Sequence, residues 1–396
     1  MIKYIRQYNS PITIDQKLGH GDEYYHEYYH YSVGSKRTTD KLQAILWANE
    51  KNEWIHFHMP QWLKDLPIHI EPQESMKELC VKRAQSIRES NNYIKLWFSG
   101  GCDSTYMLKI FVECGIHIDE IVCMKCGIPE ADWEIDQVAL PFLKSIKSKI
   151  SQTKITVKVP TMADYKNFYK NDYWFENYKN SGRNSKAFMG IRISEHLEAI
   201  KNHNVKQSSV NVLGLDKPFI NYVNGEWFAF TLDYNVQQQV GTKDNTCCSF
   251  YNDDPLIYIK QCHMLKRGIV SRVQNVSDYN KVCLYADRYQ DVFNESIGRV
   301  DHGYSFIKKS QVPTDTKFIG LNRKESTGKE FIAKNFPEIF KKYTDGIQNL
   351  NAIQNGRWFH DNNAEAGTIG IFAEFKSLDR NSTKIIDELY PDGFKP

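Results

Sequence analysis

The chain has 396 residues, 41% hydrophobic and 25% charged, which is the usage of a folded globular protein and excludes wholesale disorder. Lys and Arg number 51 against 48 Asp and Glu, so the formal charge of +3 indicates neither a nucleic-acid nor a membrane partner. At roughly 150 residues per domain, this length accommodates two or three domains. No apolar run reaches the ~18 residues of a membrane span, and the N-terminal segment lacks the apolar core of a secretory signal, so a cytoplasmic protein is expected. Nine cysteines, an odd number that includes the adjacent Cys247 and Cys248, show no framework spacing and read as reduced thiols.

Residues 1–72 carry short alternating stretches and turn signals, which suggests a small β-rich or mixed cap. Within it His56 and His58 share one face of a strand. A metal site needs a third ligand, and none is visible in the sequence. From residue 73 the period becomes helical, with Met76, Leu79, Cys80 and Ile87 on one stripe. A short apolar strand follows at 93–98, then a Gly-Gly turn, then a helical pattern at 105–114 that stops at Gly115. The alternation continues with a strand at 120–124, a helix at 132–150 with a kink expected at Pro141, a strand at 154–159, a helix at 191–202 and a strand at 209–213. Strands alternating with helices predict an α/β domain over 73–218, a parallel sheet with helices on both faces and ligands at the carboxyl ends of the strands.

Beyond 218 the order changes. Residues 220–231 read as a hairpin, because Asn224-Gly225 supplies both positive-φ positions of a type I′ turn. Helical patterns at 255–265 and 278–295 and an alternating stretch at 357–373 predict a helical or mixed lid over 219–396. The aromatic stretch 165–178 and the hairpin are the expected seats of substrate specificity.

The chemistry lies in the turn after the strand at 93–98, Ser99-Gly100-Gly101-Cys102-Asp103-Ser104. Ser-Gly-Gly-x-Asp-Ser fixes five positions, and its chance occurrence over this length is on the order of one in a thousand or rarer. Paired glycines let the backbone approach a ligand, and the helix that follows directs its first N–H groups and positive dipole end into the same space, which suits phosphate. Ser99, Ser104 and Thr105 add hydroxyl donors. Asp103 repels phosphate, so its presence calls for a cation between them, most economically Mg²⁺. Asp216, just past the strand at 209–213, is expected on the same sheet edge, where two carboxylates can share that ion. Lys217 beside it can offset charge on an α-phosphate. Asp216-Lys217-Pro218 equally reads as a simple strand terminator.

With this motif between a strand and a helix, the sequence resembles the PP-loop (N-type) ATP pyrophosphatase superfamily, the adenine nucleotide alpha-hydrolase-like proteins, and in layout the synthetase domain of asparagine synthetase. The resemblance covers about residues 73–218. It implies binding of ATP and Mg²⁺ on residues 99–105, including Gly100, Gly101 and Cys102, and cleavage between the α- and β-phosphates. A substrate oxygen becomes an adenylate, and a nitrogen nucleophile then displaces AMP. The resemblance also implies a metal role for Asp216 and an adenine site along the backbone of Val122, Cys123 and Met124, with Phe98 as an apolar wall. Residues 323–328 are similar to a basic stretch of asparagine synthetase and nominate Lys324 for stabilising the intermediate; a surface turn explains them equally well.

Two further readings stay open. One is a nucleobase- or tRNA-modifying or sulfur-transfer enzyme of the same superfamily, since Cys123 and Cys126 have CxxC spacing, although a cluster or zinc needs three or four thiolates and no second CxxC exists. The other is a nucleotide-binding protein without turnover. Residue 2 is Ile rather than the cysteine of a glutamine-hydrolysing synthetase, so free ammonia, an amine or an external sulfur donor is expected to serve. The acceptor, a small molecule or a nucleobase, and the oligomeric state are not specified by the residues.

Overall fold

The computed structural model describes residues 30–38, 44, 47–48, 50–53, 55–58, 64–128, 132–170, 209–214, 218–230, 246–252, 254–279, 296–297, 330–341, 375–384 and 386–389. The expected helices at 191–202 and through most of 278–295, and the alternating stretch at 357–373, lie outside them.

Three antiparallel strands form the N-terminal sheet: β1 (His30–Val33), β2 (Lys36–Thr38) and β3 (His56–His58), in the order β2-β1-β3. Register sets His30 opposite His58, and their rings stack with centroids 4.7 Å apart. A third imidazole therefore does stand beside the expected pair, supplied by a strand whose pairing the sequence does not disclose. Among the described residues, no three His, Cys, Asp or Glu side chains are arranged to hold a metal ion.

Next comes α1 (Met76–Ser90), started by a capping box in which Ser75 and Glu78 satisfy each other's backbone N–H groups. Its stripe of Met76, Leu79, Cys80, Ala84 and Ile87 is buried in the main core. The α/β unit continues with β4 (Tyr93–Trp97), α2 (Cys102–Glu113), β5 (Glu120–Met124), α3 (Leu140–Ser145), β6 (Lys154–Lys158), α4 (Met162–Lys170) and β7 (Ser209–Leu213). Pro141 does leave its mark on the expected helix. The turn before it is a π turn, Ile135–Ala139, in which the Leu140 N–H reaches the Ile135 carbonyl five residues back. A proline ring in a regular helix clashes with the carbonyl four residues earlier, and the wider turn removes that carbonyl from its path.

Beyond the expected boundary at 218 the chain makes β8 (Phe219–Val223) and β9 (Glu226–Phe230), joined by Asn224 and Gly225 at φ 51° and 84°, the hairpin foreseen from the Asn-Gly pair. The chain then returns to the parallel sheet as β10 (Thr246–Ser249), which pairs with β7. The five parallel strands run β10-β7-β4-β5-β6. The sheet thus extends past 218, and the hairpin joins a separate antiparallel sheet, β12-β11-β9-β8, with β11 (Phe375–Ser377) and β12 (Thr383–Lys384), after which α6 (Ile386–Leu389) follows.

Between β10 and that C-terminal sheet segment runs α5 (Pro255–Arg272), capped by Asp254 and longer than the 255–265 expected because Ile269 continues its buried stripe. Its Lys260, His263 and Arg267 secure the strap that leads from the N-terminal sheet to α1. Lys260 Nζ donates to the Pro72 carbonyl at 2.9 Å, His263 bonds the Ile68 carbonyl at 2.8 Å, and Glu71 is clasped by Lys260 and Arg267. Lys266 pairs with Asp379, whose carboxylate also accepts from the Trp227 N–H, so α5 joins strap and C-terminal sheet as well. Among the described residues no helix is long and apolar enough to cross a membrane.

Burial alone would raise the Glu71 pKa, but hydrogen bonds from Arg267 and Lys260 outweigh it and hold the carboxyl at about 2. A depressed folded pKa gives stability that is complete above the unfolded value of 4.5 and is lost as pH falls toward about 2. Glu71→Gln should therefore lower the thermal midpoint at neutral pH, by an amount corresponding to on the order of 1 kcal/mol for a mostly solvent-screened cluster. The difference from wild type should shrink progressively in melts recorded between pH 4.5 and about 2.

Candidate functional site

The order of the parallel strands turns back at β4, with β5 and β6 on one side and β7 and β10 on the other. At the carboxyl edge of such a switch point, loops from neighbouring strands leave in opposite directions and open a crevice. The turn Ser99-Gly100-Gly101 sits there, and the helix begins earlier than the 105 expected. Cys102, Asp103 and Ser104 form the first turn of α2, and Asp103 is a helix N-terminal carboxylate rather than a loop residue.

Hydrogen bonds within the turn fix its shape. Ser104 Oγ donates to the Gly101 carbonyl at 3.2 Å and accepts from the Ser99 N–H at 3.3 Å, and the two serine hydroxyls lie 3.2 Å apart. Ser99 and Ser104, expected as donors to pyrophosphate, are thus occupied in closing the loop. Thr105 differs. It is fully buried, and its Oγ1 has no hydrogen-bond partner. The N-cap is Gly101, so no side chain caps the first turn of α2, and a Cβ at that position would meet only Ser99 Oγ, at 3.6 Å.

Two backbone contacts wedge this turn in place. Gly100 has φ +82°, and a Cβ on it would lie 3.1 Å from both the Ala139 nitrogen and Val138 Cγ1, in the π turn. On the other side Gly214, the first residue after β7, lies where a Cβ would be 3.1 Å from the Asp103 carbonyl carbon and oxygen. The buried Tyr251, just past β10, donates its hydroxyl to that same Asp103 carbonyl at 2.6 Å. Val138, Ala139 and Tyr251 were not singled out in the sequence. Only the Pro141 signal hinted at the π turn, and nothing local marks Tyr251.

The wall beside β5 departs from expectation. Phe98 is no adenine wall: it continues the inward alternation of Ile94 and Leu96, is buried, and packs on Phe142 at 5.5 Å between ring centroids. Within the Val122–Met124 backbone expected along the adenine, the Val122 carbonyl accepts the Phe98 N–H at 2.9 Å in the sheet ladder. Cys123 is a core residue, and burial pushes its thiol up to about 12. Cys126 belongs to a different, smaller cluster with Ile128, where its thiol donates to Asp132 Oδ1 at 3.1 Å, so the CxxC pair is split between two environments. Met124, half-buried at the strand end, is the part of the expected adenine edge nearest solvent.

Asp132 shapes the chain beyond it. The carboxylate is buried and accepts the Cys126 and Gly127 N–H groups at 2.6 and 2.9 Å, folding the loop after β5 back onto the segment that leads into the π turn. Lys125 and Asp136 add an ion pair across the same junction at 2.5 Å. Tyr165 and Tyr169, within the stretch nominated for specificity, are instead buried against Phe331 and Phe336. Asp216, Lys217, Lys324 and residues 171–178 lie outside the described residues. A cavity of about 250 Å³, lined by Gly115, His117, Lys149 and Thr153 among others, lies at the opposite end of the sheet from the glycine turn. No protein-family model matches the chain, and no curated protein matches it.

Gly100→Ala and Gly214→Ala should each destabilise the fold by about 1–3 kcal/mol in urea titrations, one through a strained φ and both through backbone overlap. Gly101→Ala, with an unstrained φ of −71° and open space, should stay within about 1 kcal/mol of wild type.

Proposed function

We propose that the chain is an ATP pyrophosphatase of the PP-loop type, which transfers AMP to a substrate oxygen and passes the activated product to a nitrogen nucleophile. The observation that supports this most is the first turn of α2. An uncapped helix N-terminus and a glycine N-cap with open space beside it lie at the carboxyl edge of the sheet, at its switch point, and Thr105, whose buried hydroxyl has no partner, follows in the same turn. A buried hydroxyl without a partner is costly, and a phosphate oxygen supplies the missing acceptor.

In this reading the N–H groups at the start of α2 and Thr105 Oγ1 bind the leaving pyrophosphate, while the Ser99–Ser104 pair keeps the turn from collapsing. Tyr251 and Gly214 hold the Asp103 backbone so that its carboxylate leaves the first turn at a fixed angle. Asp103 and the nominated Asp216 are the residues that would hold Mg²⁺, and that ion would neutralise charge on the phosphates. Asp103 alone is a poor neighbour for phosphate, and this is the chemical reason its carboxylate fits a cation. Lys217 and Lys324 remain the nominated cations for the α-phosphate and the adenylate. Nitrogen rather than sulfur is favoured as the nucleophile, because Cys123 and Cys126 sit in separate environments and the Cys126 thiol donates a hydrogen bond to Asp132. The acceptor is taken as a small-molecule carboxylate, carbonyl or amide oxygen.

With α-labelled ATP, Mg²⁺ and a panel of carboxylic acids with ammonia, the protein should release labelled AMP and free pyrophosphate. Asp103→Ala should lower that release by about 10²-fold or more. Gly101→Ala should fold normally yet bind pyrophosphate weakly. Labelled ADP in place of AMP, or full AMP release by the Asp103 variant, would contradict the proposal.

A further inference from the structure

Arg83 on α1 and Cys248 on β10 meet at the edge of the sheet opposite β6. Arg83 Nη2 lies 2.9 Å from Cys248 Sγ, while Arg83 Nε is buried without any hydrogen-bond partner. A guanidinium cannot shed its proton at any pH a protein survives, and Arg83 is part-buried, so the enclosed side of its charge gains from an anion beside it. Among the described residues no carboxylate pairs with Arg83; the group that faces it is sulfur. Thiols beside fixed cations ionise well below their free value of about 8.5, and the thiolate is the nucleophilic form.

We propose that Cys248 is held as a thiolate by Arg83 and is a site of oxidation by hydroperoxides. Cys248 is half-buried, at the margin of the main core, and pairs with Val212 in the sheet register, so it is held in place without being sealed off. The other cysteines whose side chains are described differ from it. Cys80, Cys102, Cys123, Cys126 and Cys262 are buried, whereas Cys114 is exposed at the end of α2. In the reaction the sulfur attacks one peroxide oxygen. The S–O bond forms as the O–O bond breaks, sulfur is oxidised to sulfenic acid, and hydroxide leaves and takes up a proton to become water.

The test uses the full chain. Iodoacetamide labelling from about pH 5.5 to 9, with each cysteine followed by peptide mass spectrometry, should show Cys248 near its maximal rate at about pH 6.5. After hydrogen peroxide, dimedone should label Cys248 ahead of Cys114. In Arg83→Gln the Cys248 rate at pH ~6.5 should fall about tenfold, the equivalent of one pKa unit, while buried Cys262 stays protected and so reports an intact fold. A wild-type Cys248 whose labelling rate is still climbing above about pH 8, or that reacts only after denaturation, overturns the proposal without recourse to any variant. An unchanged profile in folded Arg83→Gln overturns it too.

Discussion

The first turn of α2 touches main chain on both sides, and much of the molecule is arranged around that fact. At Gly100 the turn presses on the nitrogen and Cα of Ala139, and at Gly214 another strand end presses on the Asp103 carbonyl. Main chain cannot move aside as a side chain can, so both contacts demand residues without a Cβ. The result is a helix start whose position is set by three loops at once, those after β4, β5 and β7. A site that binds a highly charged group benefits from such restraint, because donors already in place do not have to be ordered at the moment of binding.

The same restraint explains features that look incidental. The π turn before Pro141 places Val138 and Ala139 against Gly100, and Asp132 folds the loop after β5 so that the chain can reach that point. Tyr251 reaches the Asp103 carbonyl only because β10 returns to the sheet beside β7. The antiparallel hairpin between β7 and β10 is therefore an insertion within the α/β unit. Through Lys266, Asp379 and Trp227, α5 ties that insertion's sheet back to the body.

Legibility in the sequence followed the range of the forces involved. The strand–turn–helix at 93–113, the capping-box helix before it and the Asn-Gly hairpin were readable, because each depends on neighbours a few residues apart. β10 was not readable: Thr-Cys-Cys-Ser has no strong apolar alternation, and its place is decided by the open edge of β7. Position at a strand end says nothing about which face is covered, whereas alternation with Ile94 and Leu96 puts Phe98 on the buried one. The motif serines were expected to face a ligand, but short hydroxyl side chains in a tight turn bond first to adjacent backbone, leaving Thr105 with the unmet hydrogen bond. The stacked His30 was hidden for the reason that applies to β10, since strand pairing is long-range.

The proposed function requires this restrained turn to grip a diphosphate. Heteronuclear NMR of protein labelled with ¹⁵N at glycine, serine and threonine, titrated with pyrophosphate and magnesium, addresses that directly. The account predicts saturable shifts concentrated at the amides of Gly101, Ser104 and Thr105. Spectra that stay unchanged at these amides up to high pyrophosphate, or shifts scattered over surface lysines alone, would contradict it.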